Sequence, residues 1–175
     1  MTDLATSDPI IETKRLWLPP LNEADAGDFE ALFKDDWDAV KQTGQLPYPA
    51  TKAAMQVWIR KHTGPGGHAF LLRRKDDRQS IGAIGFGGSS TIAELGYALG
   101  RTFWGQGYAT EAAIAMVEVA GDLGLGGLQA YSFVENPASA RVLEKAGFSN
   151  VGTIVREYPK RGGMRRVLHF RTMLS

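Results

Sequence analysis

The sequence predicts an α/β domain of mixed type, with about seven mostly antiparallel strands flanked by about four helices, on three observations. Three short apolar segments, "HAFLLRRK", "SIGAIGFGG" and "TIAELGYALG", follow one another with turn residues between them. A long run with apolar residues at three- and four-residue spacing comes next, and then strand, helix and two closing strands. The 175 residues, 43% of them hydrophobic, suffice for one buried core but are short for two.

Residues 1–8, "MTDLATSD", are polar and acidic and are expected to be a disordered tail, with 9–175 forming a single domain. "IIETKRLWLPPL" is expected to be the first strand, closed by Pro19 and Pro20. "NEADAGDFEALFK" places Ala26, Phe29, Leu32 and Phe33 on one helical face behind Asn22 as N-cap. A second helix starts at Thr51 and buries Ala54, Met55, Trp58 and Ile59. The meander follows, turning at "DDRQ" and "GGSS". The principal helix spans about 108–123, since Ala109, Ala112, Ala113, Met116, Val117 and Ala120 share a stripe. "LQAYSFV" reads as a strand. "NPASARVLEKAGF" reads as a helix with Asn136 as N-cap, Pro137 at the first helical position and Gly147 as the stop. "SNVGTIVREYP" and "MRRVLHFRTML" close the chain around the turn "KRGG".

Composition narrows the function classes. Twenty basic and nineteen acidic residues create no global field for nucleic acid or an anionic membrane, so an anionic ligand must be held locally. There is no cysteine, which excludes disulfides, thiolate metal sites and a cysteine nucleophile and fits a cytoplasmic protein. No apolar run approaches membrane-spanning length.

Between the third meander strand and the principal helix lies "RTFWGQGYATE". Gly105 and Gly107 allow a ligand oxygen close to the main chain, and the helix that follows offers unpaired N–H groups with partial positive charge. The guest of such a loop is a phosphate or pyrophosphate; a tight turn without a ligand is the plainer alternative. A dinucleotide fingerprint requires a third glycine where Thr110 stands, and neither a P-loop nor a G-x-S-x-G elbow is present. His62, His68 and His169 have no metal-ligand spacing.

"WGQGYA", Trp104 to Ala109, resembles the pyrophosphate-binding segment of the GNAT superfamily of N-acetyltransferases, especially the branch containing RimJ and RimL. The resemblance extends through "ETKRLWLPPL", "ELGYALGRTFWGQGYATEA", "VENPASARVLEKAGF" and "REYPKRGGMRRVLHFRTML", nearly the whole chain. Where the wider superfamily usually opens the segment with arginine or glutamine, this chain has Trp104, as is common in the RimJ/RimL-like branch. The resemblance implies acetyl-CoA as donor, with its pyrophosphate on the segment Trp104, Gly105, Gln106, Gly107, Tyr108, Ala109 and Thr110. It implies a splayed strand at Ala98, Leu99 and Gly100 that holds the pantetheine arm beside a V-shaped gap. It also places Asn136 and Ser139 against the cofactor, although an N-cap role explains Asn136 equally well.

Acetyl transfer to an amine needs a neutral nucleophile, a held thioester and donors for the developing oxyanion. With no cysteine, direct attack in a ternary complex is expected, with the backbone N–H near Leu99 as oxyanion donor. Ser139 or a water protonates the leaving thiolate. Glu94 and Glu157 are the candidate proton acceptors, each with a structural ion-pair role as alternative. The acceptor is a peptide N-terminus or a small-molecule amine, the chain a monomer or homodimer, and an acyl-CoA sensor without turnover is the competing class.

Overall fold

The computed structural model describes residues 10–88 and 91–175. The tail expected at 1–8 and the serines of "GGSS" lie outside the described residues.

The expected first strand is a hairpin of β1 (Ile11–Glu12) and β2 (Leu16–Leu18), pairing Ile11 with Leu18. The chain turns between them because Thr13 N–H donates to the Leu16 carbonyl at 2.9 Å. A 3₁₀ turn capped by Asn22 leads into α1 (Ala26–Phe33). A single-turn helix, α2 (Trp37–Val40), then starts where the Asp36 carboxylate accepts from Ala39 N–H. Four residues are too few for helical periodicity to register in a sequence. α3 (Lys52–His62) is capped by the Thr51 hydroxyl, as its sequence predicts.

The meander is β3 (His68–Arg74), β4 (Ser80–Gly87) and β5 (Ile92–Leu99). Then come α4 (Tyr108–Asp122), β6 (Gly127–Phe133), α5 (Pro137–Lys145), β7 (Ser149–Tyr158) and β8 (Gly163–Met173). Among the described residues there are thus eight strands and five helices: the hairpin adds a strand and α2 adds a helix. The strands form one sheet in the order β1-β2-β3-β4-β5-β6-β8-β7. Every pairing is antiparallel except β5 with β6, which α4 joins as a crossover.

Residues alternate between two cores. Leu72, Ile84 and Leu99 face α4 and α5, joining Met116, Leu143 and Phe148. Their neighbours Leu71, Ala83 and Ala98 face the opposite way, onto Phe29, Phe33, Met55 and Ile59 of α1 and α3. Among the described residues no helix is long and apolar enough to cross a membrane.

The sheet divides at its middle. β5 keeps register with β4 as far as Leu99, and β6 keeps register with β8 as far as Phe133. Yet β5 and β6 pair only from Ile92 to Glu94 against Gly127 to Gln129. Beyond that point their facing edges are unpaired, so a wedge opens through the sheet between Leu95–Leu99 and Ala130–Phe133.

Candidate active site

The wedge is a cleft of about 390 Å³. Its walls come from β5 (Tyr97, Ala98, Leu99), the loop and first turn of α4, β6 (Tyr131, Phe133) and α5 (Asn136, Ser139). The loop after α2 closes over it with Gln42, Thr43 and Gly44, the last seated against the ring of Tyr158.

The glycine loop sits at the head of the cleft. Gly105 (φ +73°) and Gly107 (φ +83°) adopt left-handed backbone, which explains two glycines in three residues. Trp104 N–H donates to Arg101 O at 3.1 Å and Glu111 N–H to Gly107 O at 3.0 Å. Between them, the amides of Gly105, Gln106, Gly107, Tyr108, Ala109 and Thr110 find no acceptor among the described residues. A helix start with six free donors, no side chain at two of its positions and an open cleft before it is a cradle for an anion.

The loop is braced from behind. The Glu111 carboxylate, 17% exposed, accepts from Thr13 Oγ1, Arg15 N and Arg15 Nε, each at 2.7 Å. Burial alone would raise the pKa of Glu111, but the hydrogen bonds from Thr13 and Arg15 outweigh it and hold the group below the usual glutamate range. Arg15 also donates from Nη1 to the Gln106 carbonyl at 2.8 Å, and its guanidinium lies 4.3 Å from the centre of the Tyr108 ring. The first hairpin therefore clamps the loop in its left-handed shape.

Trp104 ties the loop to the splayed strand, its indole N–H donating to Leu99 O at 2.8 Å. Gly100 N–H donates to Ile81 O on the β4 side at 2.9 Å. Alternation therefore turns the Leu99 amide toward the wedge. Across the cleft, Tyr97 OH of the same strand donates to Ser139 Oγ of α5 at 2.9 Å, and the Asn136 side chain caps α5 by accepting from Ser139 N–H at 3.3 Å. Burial raises the Tyr97 pKa, the Ser139 contact offsetting part of the rise, so the phenol keeps its proton and stays a donor.

Of the residues expected from the sequence, Ala98, Leu99, Trp104, Gly105, Gly107, Tyr108, Ala109, Thr110, Asn136 and Ser139 all line the cleft. Gly100 is buried beside β4, and Gln106 turns outward, its side chain donating to Thr102 O at 3.1 Å. Glu94 stands at the apex of the wedge, the last residue of β5 paired with β6, and binds Arg156 at 3.1 and 3.4 Å. Arg156 in turn lies 3.8 Å over the Tyr131 ring. Glu157 falls on the other face of β7 from Arg156 and Tyr158 and is exposed, outside the cleft. The Glu111 brace and the Tyr97–Ser139 contact join residues far apart in the chain. The weak signal for each was a polar residue facing an apolar stripe.

These features agree with what the chain resembles. Residues 15–149 match the model of the acetyltransferase (GNAT) domain. The uncharacterized N-acetyltransferase YoaA of Bacillus subtilis (strain 168) is 30% identical over 162 residues, covering 89% of this chain and 90% of that one. In fold, the chain is similar to the ribosomal alpha-N-protein acetyltransferase RimL in complex with coenzyme A (TM-score 0.81, 18% identity, 95% of this chain and 98% of that one). It is likewise similar to spermidine N-acetyltransferase from Vibrio cholerae in complex with CoA and spermine (TM-score 0.75, 19% identity, 90% and 95%). With a domain model matched across most of its length and a wedge headed by free amides, the chain belongs to the GNAT acetyltransferase family.

Proposed function

We propose that the chain is an acetyl-CoA-dependent N-acetyltransferase that transfers the acetyl group directly to a primary amine, on a peptide N-terminus or a small molecule. The observation that carries the reading is the row of six free amides at the head of a wedge that crosses the sheet. These donors fit a pyrophosphate, and the unpaired edge of β5 fits an amide-bearing arm lying along it as a strand would. RimL and the spermidine enzyme, which share the fold, are both complexed with coenzyme A.

Acetyl-CoA supplies the activated acetyl group; the chain supplies position and charge. Leu99 N–H, turned into the wedge, stabilises the negative charge that develops on the carbonyl oxygen. Ser139 Oγ returns a proton to the thiolate leaving group, a role supported by the hydrogen bond that it accepts from Tyr97 OH. Desolvation between Tyr131, Phe133 and Tyr158 favours a neutral amine. Its proton leaves toward Glu94 at the apex, through water.

A second reading, an acyl-CoA-binding protein without turnover, has two observations in its favour: Glu94 is engaged by Arg156, and Glu157 lies outside the cleft. One experiment separates the two. CoA release is followed with acetyl-CoA and a panel of peptide and small-molecule amines, beside a melting curve with CoA. Turnover with any amine supports the enzyme, whereas a raised Tm without turnover supports the binding protein. Neither effect refutes both.

A further inference from the structure

On the face of the sheet opposite α4 and α5, the cleft runs on into a second hollow of about 400 Å³, sharing Gln42 and Phe133 with it. Among the described residues its wall carries Lys41, Lys160, Arg161 and Arg165, and a single carboxylate, Glu135. Trp37 and Phe133 supply the apolar part.

The charges are unevenly compensated. Lys41 is matched by Asp38 at 2.7 Å, while Arg165 reaches Glu135 only at 3.3 Å, with Glu135 largely exposed. Arg161 is 6% exposed, and among the described residues the hydrogen-bond partners of its guanidinium are neutral oxygens, chiefly the carbonyls of Thr43 (2.8 Å), Lys160 (2.7 Å), Val40 (3.0 Å) and Leu46 (2.7 Å). Its charge is thus solvated but not neutralised. Lys160 sits beside it, donating to Gln45 O at 3.0 Å. Burial first, and then the neighbouring Lys61 and Arg161, lower the Lys160 pKa.

We propose that this hollow selects an acceptor bearing, beside its primary amine, an anionic group, a carboxylate above all, held by Lys160 and Arg165 over the fixed charge of Arg161. The inference rests on the N-acetyltransferase reading and names the substrate class of that site. The amine lies in the wedge by Tyr131 and Tyr158, and the carboxylate lies past Phe133 in the hollow. An Arg fork fits a carboxylate in two-point fashion, and a buried guanidinium holds its position without loss of side-chain freedom on binding. An acidic side chain near a peptide's free N-terminus and the carboxylate of a small amino acid present the same chemistry.

The test measures kcat/KM in matched pairs: alanyl-aspartyl-alanine amide against its asparaginyl counterpart, and β-alanine against propylamine, with spermidine as the polycation. The acidic member of at least one pair should exceed its neutral partner about tenfold, and the pair that responds identifies the source of the carboxylate. Lys160→Met with Arg165→Gln should remove that ratio through KM while leaving KM for acetyl-CoA unchanged. Equal rates within both pairs, or preference for spermidine, overturn the inference and leave the acetyltransferase reading standing. CoA binding with no turnover on any amine overturns both. Should the double variant fail to fold, the ratios of the unaltered chain already decide the matter.

Discussion

Replacing Glu111 by Gln keeps the volume of the side chain and removes the charge that clamps the glycine loop. The carboxylate accepts three hydrogen bonds at 2.7 Å, from Thr13 Oγ1, Arg15 N and Arg15 Nε, and it is largely buried while Arg15 is 41% exposed. A hydrogen bond to a charged group is worth about 1.5 to 3 kcal/mol net. With one partner in solvent and the amide oxygen of Gln still able to accept, the expected loss is about 2 kcal/mol. At about 2 to 4 °C per kcal/mol for a chain of this size, Tm should fall by roughly 4 to 8 °C. Arg15, released, no longer fixes the Gln106 carbonyl, so KM for acetyl-CoA should rise about fivefold, the cost of reordering the loop at about 1 kcal/mol. Thermal melting with and without CoA and initial rates against acetyl-CoA measure both, with exposed Glu118→Gln on the same helix as the control. The pH dependence has a definite sign. The folded-state pKa of Glu111 is depressed, so its contribution is complete above the unfolded value of about 4.3 and is lost as pH falls through the folded value. The Tm gap between the two proteins should stay constant from about pH 7 to pH 5 and close only below about pH 4. A lowered Tm with unchanged KM for acetyl-CoA would refute the idea that the brace serves the loop.

Other perturbations have equally definite outcomes. Gly107→Val forces a branched side chain onto φ +83°, with its Cβ 3.2 Å from the Arg15 guanidinium, and should weaken CoA binding at least about tenfold, read by calorimetry on the folded variant. Ser139→Ala should lower kcat by about ten- to a hundredfold with little change in KM for acetyl-CoA, and Tyr97→Phe should lower it less, since the phenol acts through the serine. Arg161→Met leaves the carbonyls of Thr43 and Leu46 without their donor and should cost about 3 kcal/mol in urea unfolding, raising KM for the acceptor as the loop over the cleft loosens.

What the sequence disclosed depended on the range of the interaction. The helix α4 was legible because fifteen residues repeat one stripe, and α5 because Asn136, Pro137 and Gly147 mark both its ends. The cofactor loop was legible because left-handed backbone restricts the residue choice to glycine, which a sequence displays directly. Contacts between distant segments were not. Glu111 reads as a helix-dipole partner until Thr13 and Arg15, 98 and 96 residues away, are seen to converge on it. Arg161 lies within "YPKRGGMRR", which reads as a solvated basic turn, yet it is buried and fastens the Val40–Leu46 loop over the cleft. A cation on a turn and a cation inside a loop have the same letters around them; only the carbonyls of a segment some 120 residues earlier tell them apart.

The three register pairs that join β5 to β6 make a short seam between two half-sheets, one formed by β1 to β5 and the other by β6, β8 and β7. A seam so brief resists opening chiefly through α4, which straddles it. A guest lying along the edge of Leu95–Leu99 that β6 leaves open would act as the absent ladder and stitch the halves together. Amide exchange at Tyr97 and Leu99 should therefore be fast in the empty protein and become among the slowest in the sheet once coenzyme A is bound, while β3 and β4, already paired on both sides, should hardly change. On this view the fold reaches its full cooperativity only when charged with donor, and its mechanical weak point and its chemical centre are one place.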